Sequence, residues 1–431
     1  MPKLIESLKY LIKSDDFREN HKLTPKAFTR DRLLPFHRLI YFLLNMNNSS
    51  YQDELDHFYQ TIFQYDIAQR VICKGSLTKA RKKLDYKAFE AINDHMVNDF
   101  YKNFQHQTWC GFNLLAIDGT TIRVPDEKPI VDHFGAWKTN KDTALCPKAR
   151  ASQMFDVLNK VTVDAILSPK EDGERELAAF HFLKLQPDDL MLLDRGYPAY
   201  WVFQAILSLG AQFCARISYK RWKVVHKFYK SGKAEKIVRI HPTAQSRQKC
   251  KEMGFDTTPV AARLIRVELD SGETEVLITS LTDMEAFPKE LFSDLYHLRW
   301  PVEEDYKILK YRIQIENFSG KSVHSVYQDF HAKVVSKNLT AVIATTTREE
   351  IIKKSENLKY HHQINFAQAL SKMKNTIVLL FSCTWNLVIS YIEQIRTIFI
   401  QTTESIRPNR KYPRKHRVKQ KRFHFEYKTV C

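Results

Sequence analysis

The chain has 431 residues, 44% of them hydrophobic, and its 67 Lys and Arg outnumber 49 Asp and Glu to give a formal net charge of +18. Such a chain can bury a large core over roughly two or three domains, and its charge favours a polyanionic partner, with phosphate backbones the commonest one. That charge is left unexplained by a sugar hydrolase working with paired carboxylates.

Seven cysteines lie far apart, at 73, 110, 146, 214, 250, 383 and 431. None has the paired spacing of a zinc site, and the set makes no disulfide framework, so a reducing cytoplasm is expected. The N-terminal MPKLIESLKYLIKSDD lacks the apolar block of a signal peptide.

Residues 1–105 read as helical, with few glycines and apolar residues spaced by three and four. DELDHFYQTIF (53–63) and SLTKARKKL (76–84) form two helices about a loop, with Ser76 as the expected N-cap. Lys79, Arg81 and Lys82 make the second helix basic. It is either a DNA-reading helix of a helix-turn-helix-like unit or a solvated basic face.

From 106 to 217 the texture becomes α/β. LLAIDGTTIRV (114–124) reads as strand, Asp-Gly turn, strand, and MFDVLNKVTVDAIL (154–167) as a strand pair turning near Asn159 and Lys160. ELAAFHFLKL and YWVFQAILSLG have helical spacing. DLMLLDRGY is a short apolar run ended by a Gly turn, and AQFCARIS a further strand.

Residues 218–283 interrupt this order with a mostly β, basic insertion. Its stretch 220–251 holds eleven Lys and Arg against one acid, Glu235, and 260–281 reads as a hairpin about Asp-Ser-Gly. Residues 284–325 return to a helical segment with Pro288 in its first turn. Helices continue over 326–406, a region suited to dimerisation. The uncharged stretch Asn375–Ile392 reaches transmembrane length, yet its polar residues read as a buried helix. Residues 407–431 form a basic tail suited to nucleic acid.

The segment YHLRWPVEEDYKILK (296–310) carries the chemistry. At about 100° per residue, Tyr296, Arg299, Glu303 and Lys310 share a stripe about 60° wide. Leu291, Leu295, Leu298, Val302, Tyr306 and Leu309 form the adjoining apolar seam. Alone, Arg299 and Glu303 read equally well as a surface ion pair. Pro301 predicts a bent, unbroken helix whose freed His297 carbonyl faces water. Asp118 and Asp194, each ending an apolar strand at a Gly turn, supply two more carboxylates. Three acids can hold two divalent cations roughly 3.5–4 Å apart, and Mg²⁺ suits oxygen ligands.

Together these residues resemble the DDE transposases of bacterial insertion sequences, insertion-sequence family four. Tyr296, Arg299, Glu303 and Lys310 match its Y-x2-R-x3-E-x6-K signature without a gap. Asp118-Gly119-Thr120 matches its first aspartate motif, and Asp194 with Gly196 and Tyr197 its second. SLTKARKKLDYKAF and RASQMFDVLNKVTVDAIL also look like the family.

The resemblance implies an RNase H-like core interrupted by a β insertion, with Asp118, Asp194 and Glu303 holding two Mg²⁺ or Mn²⁺ ions. It implies cut-and-paste transposition, with Tyr296, Arg299 and Lys310 on DNA phosphates near the cleaved end. The partners it implies are double-stranded DNA, as terminal inverted repeats and target, and a second copy in the DNA complex, working at the nucleoid with no membrane. Glu304 neighbours the expected ligand but falls off the stripe. Trp222, in the insertion, could stack on a flipped base or serve the core. The alternatives are a nuclease of the same fold and a DNA-binding protein without catalysis.

Overall fold

The computed structural model describes residues 1–30, 32–45, 48–138, 145–220, 222–269 and 272–407. The expected basic tail beyond Arg407, and Asp270 and Ser271 of the expected hairpin turn, lie outside the described residues.

Among the described residues nine strands join one sheet: β1 (Asn113–Arg123), β2 (Ala136–Trp137), β3 (Cys146–Asp156), β4 (Val161–Ser168), β5 (Asp189–Leu193), β6 (Gln212–Ile217), β7 (Glu235–Ile240), β8 (Val260–Glu268) and β9 (Thr274–Thr279). The unit β4-β3-β1-β5-β6 is antiparallel across β4, β3 and β1 and parallel across β1, β5 and β6. That order and those directions make an RNase H-like core. The β3–β4 turn falls over 157–160, as the sequence indicates, with Lys160 at a left-handed φ of 60°.

LLAIDGTTIRV does not turn at Asp-Gly. It is one strand, paired with β3 without interruption from Leu115 to Arg123, and Gly119 lies opposite Ser152. Asp-Gly favours a turn only where nothing longer competes; here β3 offers a full ladder of hydrogen bonds.

The insertion contains two helices, Lys223–Lys230 and Ala244–Glu252, besides β7, β8 and β9. Its strands extend the core sheet: β9 returns antiparallel to β6, and β8 and β7 follow outward. Trp222 is partly buried against the core, its ring 5.9 Å from that of Phe203, which favours the core reading.

Helices dominate the sequence before β1 and after the signature segment, the latter with a two-stranded pair, His362–Ile364 and Thr403–Ser405, and they pack together. Their centre is Val323–Thr345, which begins at a Ser322/Ser325 capping box and buries residues on every side. Its buried polar side chains are paired: Lys337 with Asp305, Asn338 with Asn93 and the Thr162 carbonyl, Gln328 with the Arg81 and Leu84 carbonyls. The Lys74–Arg81 helix starts two residues before Ser76, with Cys73 at its N-cap position. The stretch Asn375–Ile392 divides between helices Thr376–Ser382 and Trp385–Gln401. Among the described residues no helix is long and apolar enough to cross a membrane.

Candidate active site

Strand alternation builds the site. Leu114 and Ala116 of β1, Leu190 and Leu192 of β5, Cys214 of β6 and Leu277 of β9 share one apolar cluster on one face of the sheet. The next residue of that face along each strand is polar: Asp118, Asp194, Arg216 and Glu275. The register Asn113↔Asp189 to Ala116↔Leu192, continued two residues, sets Asp118 level with Asp194. Parallel neighbours lie about 4.8 Å apart in a sheet, so the two aspartates stand side by side just past the end of the ladder. Asp194 follows β5 at a turn closed by the Tyr197 N–H on its own carbonyl.

The signature segment covers this row as two helices, Leu291–His297 and Pro301–Tyr311, rather than one bent helix. Pro301 starts the second helix, where its missing N–H costs nothing. The Arg299 and Trp300 N–H groups donate to the Tyr296 and His297 carbonyls at 3.1 Å, so the His297 carbonyl is not left to water. Pro288 lies three residues ahead of the first helix. The break splits the apolar seam. Leu295 and Val302 join the cluster beneath the site, Tyr306 and Leu309 join the main core, and Leu291 is exposed.

Glu303 falls in the first turn of the second helix and accepts a 2.5 Å hydrogen bond from Arg299 Nη2. Arg299 is itself buried, with its guanidinium 6.0 Å from the Tyr296 ring. The Tyr296 hydroxyl donates to Asp194 Oδ1 at 3.2 Å, and Arg216 bridges Asp194 (2.9 Å) and Glu275 (2.6 Å). Tyr306 donates to the Asp118 carbonyl at 2.8 Å, fixing β1 at that point. Lys310 donates to Thr120 Oγ1 (2.8 Å) and the Thr121 carbonyl (2.7 Å), so its ammonium lies on β1 in this state. An open cleft of about 760 Å³ is lined by Asp194, Arg216, Glu275, Tyr296, Arg299 and Glu303; Asp118 is not among its lining residues.

The electrostatics follow. Burial pushes the Asp118 carboxyl up to about 6, against the Gly119 N–H and Arg299, and nearby Glu303 and Asp194 raise it further. Burial alone would raise Asp194 as well; the Arg195 N–H, Arg216, Arg299 and the Tyr296 hydroxyl outweigh it and hold that carboxyl below its usual range. Burial, then the Asp194 charge, drives the Tyr296 hydroxyl well up. Among the described residues no three His, Cys, Asp or Glu side chains converge closely enough to grip one ion. The donors suit a hard cation in kind, and a cation bound there would offset the cost of ionising Asp118 in its buried place.

The structure separates the signature from its neighbours. Glu304 is exposed, and Asp305 is buried in an ion pair with Lys337 at 2.8 Å. Arg216 and Glu275 were missed by sequence reading, although alternation from Cys214 along AQFCARIS aims Arg216 at the same face.

Lys79, Arg81 and Lys82 do not stay together. Arg81 turns inward to Asp329 (2.9 Å), Gln328 (2.8 Å) and the Ser325 carbonyl (3.0 Å), its side chain 5% exposed. The expectation that it contacts DNA is corrected: its guanidinium holds the central helix. Lys79 and Lys82 are exposed. Lys79 lines a groove of about 720 Å³ with Lys26, Arg30, Arg32 and Lys83, and among the described residues no carboxylate lines it.

The family described as Transposase DDE domain matches residues 109–339, which span β1 to the central helix. Transposase InsG for insertion sequence element IS4, from Escherichia coli K12, is 24% identical over 359 residues, 81% of this chain and 78% of that protein. Putative transposase InsZ, also from Escherichia coli K12, is 20% identical over 153 residues, 35% of this chain and 50% of that protein. A cryo-EM structure of the piggyBac transposase synaptic complex with hairpin DNA aligns with a TM-score of 0.45 and 11% identity, over 91% of this chain and 85% of that one. The DDE transposase family uses divalent metal ions. This chain belongs to the transposase DDE-domain family, within the DDE transposases of insertion-sequence family four.

Proposed function

We propose that this DNA transposase moves an insertion sequence by cut and paste, hydrolysing the DNA at the element ends and transferring the freed strand into target DNA. The observation that supports the reading is that Asp194 and Glu303 line one cleft with Arg216, Tyr296 and Arg299, and that both acids act electrostatically on Asp118, in a basic protein.

Asp118, Asp194 and Glu303 would hold Mg²⁺ or Mn²⁺, two ions per site. When bound, the cations would activate the attacking oxygen and stabilise the leaving one. Arg216 and Arg299 neutralise Asp194 and Glu303 here. A guanidinium grips phosphate in the same forked manner, so both can hold the DNA backbone at the cleft. Tyr296 contributes a hydroxyl donor and Lys310 a point charge. The helical region 1–105 binds terminal-repeat DNA through the groove of Lys26, Arg30, Arg32, Lys79 and Lys83, with Lys82 beside it, and the tail 407–431 serves as a further arm. The protein works at the nucleoid, as a homodimer on DNA.

The test is cleavage and joining of a duplex carrying the element's terminal repeat in Mg²⁺. Wild type should cut the end and join it to a plasmid, while Glu303→Gln and Asp118→Asn should each lose roughly a hundredfold or more of cleavage. Cleavage without joined product would identify a nuclease. Undiminished cleavage by Glu303→Gln would remove the third acid from the site.

A further inference from the structure

A second cavity, of about 230 Å³, lies away from the cleft where the β3–β4 turn meets the C-terminal helices. Its lining carries Lys160 and Arg348, and among the described residues no carboxylate lines it. Arg348 donates to the Leu158 carbonyl at 3.0 Å and reaches Asn159 Oδ1 at 3.4 Å, which leaves further guanidinium N–H groups open. Asn159 is held in turn by the Gln107 backbone and Asp156, so this part of the lining is rigid. Beside these cations the lining is largely apolar, with Ile351, Ile352, Ile364, Phe366 and Ile406, and also carries His362 and Gln363.

Lys160 closes the β3–β4 turn at φ 60°, the left-handed position such hairpin turns use. Its ammonium makes no side-chain hydrogen bond among the described residues. Burial and the Arg348 charge both lower its basicity, against attraction from Glu404, Glu304 and Asp305. Two cations in one cavity match the charge of a phosphate monoester, −1.5 to −2 at neutral pH, better than that of a single carboxylate. The apolar share of the lining calls for an apolar or aromatic substituent, and the volume for a compact one.

We propose that this cavity binds a phosphate monoester bearing a small apolar or aromatic group, its phosphoryl oxygens held between Lys160 and Arg348. The inference stands apart from the transposition reading, since neither cation belongs to the cleft. The ester can come from a free small molecule or from the 5′-phosphate of a DNA end.

The test is isothermal titration of the full-length protein with phenyl phosphate and with inorganic phosphate. Phenyl phosphate should bind at least roughly tenfold more tightly than inorganic phosphate, and removing either cation should weaken binding roughly tenfold or more. Lys160→Asn is the first variant, because asparagine tolerates positive φ and keeps the turn; Arg348→Gln is the second. Unchanged thermal unfolding and DNA cleavage in Lys160→Asn would show the fold and the cleft intact. No binding by wild type, equal affinity for the two probes, or unchanged binding in both variants would overturn the proposal. Competition by a 5′-phosphorylated duplex but not its 5′-hydroxyl twin would place the ester on a DNA end; no competition by either would place it on a free ligand. Both results support the phosphate site.

Discussion

Removing the charge of Asp118 should stabilise the metal-free protein while abolishing its chemistry. Its carboxyl is pushed from the ordinary 3.8 up to about 6, chiefly by burial. A shift of about 2 units at 1.36 kcal/mol each makes the ionised form cost about 3 kcal/mol relative to the unfolded chain. The sign follows from the raised folded value. Below pH ~4 the group is neutral in both states and costs nothing; stability is lost as pH rises towards about 6, and the full penalty stands above that. Asp118→Asn keeps the shape and lacks the charge. With an unfolding entropy of about 2.1 cal/mol/K per residue, about 3 kcal/mol over this chain amounts to ~3 °C. Melting curves in EDTA should show the variant about 3 °C above wild type at pH 7.5 and level with it near pH 4. Saturating Mg²⁺ should close the gap by raising wild type alone. A variant that melts with wild type at both pH values in EDTA, or below it at pH 7.5, would refute the assignment of Asp118 as a destabilising charge awaiting a cation.

Two buried ion pairs and one groove give further tests. Arg81→Met should destabilise by about 3–5 kcal/mol by leaving Asp329 buried without its partner; Arg81→Met with Asp329→Leu should recover much of that, and a variant that lost DNA binding at full stability would make Arg81 a DNA contact after all. Lys337→Met should cost a similar ~3–5 kcal/mol through Asp305, and chemical denaturation that finds no loss would contradict the pair's role. Lys79→Glu with Lys83→Glu should weaken DNA binding and flatten its salt dependence by about 0.9 in log–log slope for each phosphate no longer neutralised; an unchanged slope measured by titration at several salt concentrations would clear the groove.

The strands were legible where their neighbours agreed with them. DLMLLDRGY and AQFCARIS are short apolar runs bounded by turn residues, and they stand as β5 and β6 at the centre of the sheet. Asp118-Gly119 was misread as a turn because local propensity contains nothing about β3, whose pairing lies thirty or more residues away in sequence. The signature spacing pointed to Arg299 and Glu303, which do pair, but a helical wheel assumes one axis, and Pro301 divides the segment into two. Arg81 shows the reverse failure. A run of basic residues reads as a uniform exposed face, yet Asp329 and Gln328, far along the chain, draw one of them inside. Arg216 needed the register of β5, β6 and β9 together before its place beside Asp194 could be seen.

The return of β9 onto β6 gives the basic excursion a duty beyond carrying charge. Without β9, the strand that presents Arg216 would become a bare sheet edge with its outward N–H and C=O groups unmet. Phe213, Cys214, Ala215 and Ile217 on that strand are all buried. A long apolar edge of this kind is a template for pairing with another chain. Shortening residues 218–234, which keeps β7, β8 and β9 paired, should therefore be tolerated far better than deleting β9 itself, whose loss would turn a DNA-processing protein into an aggregating one.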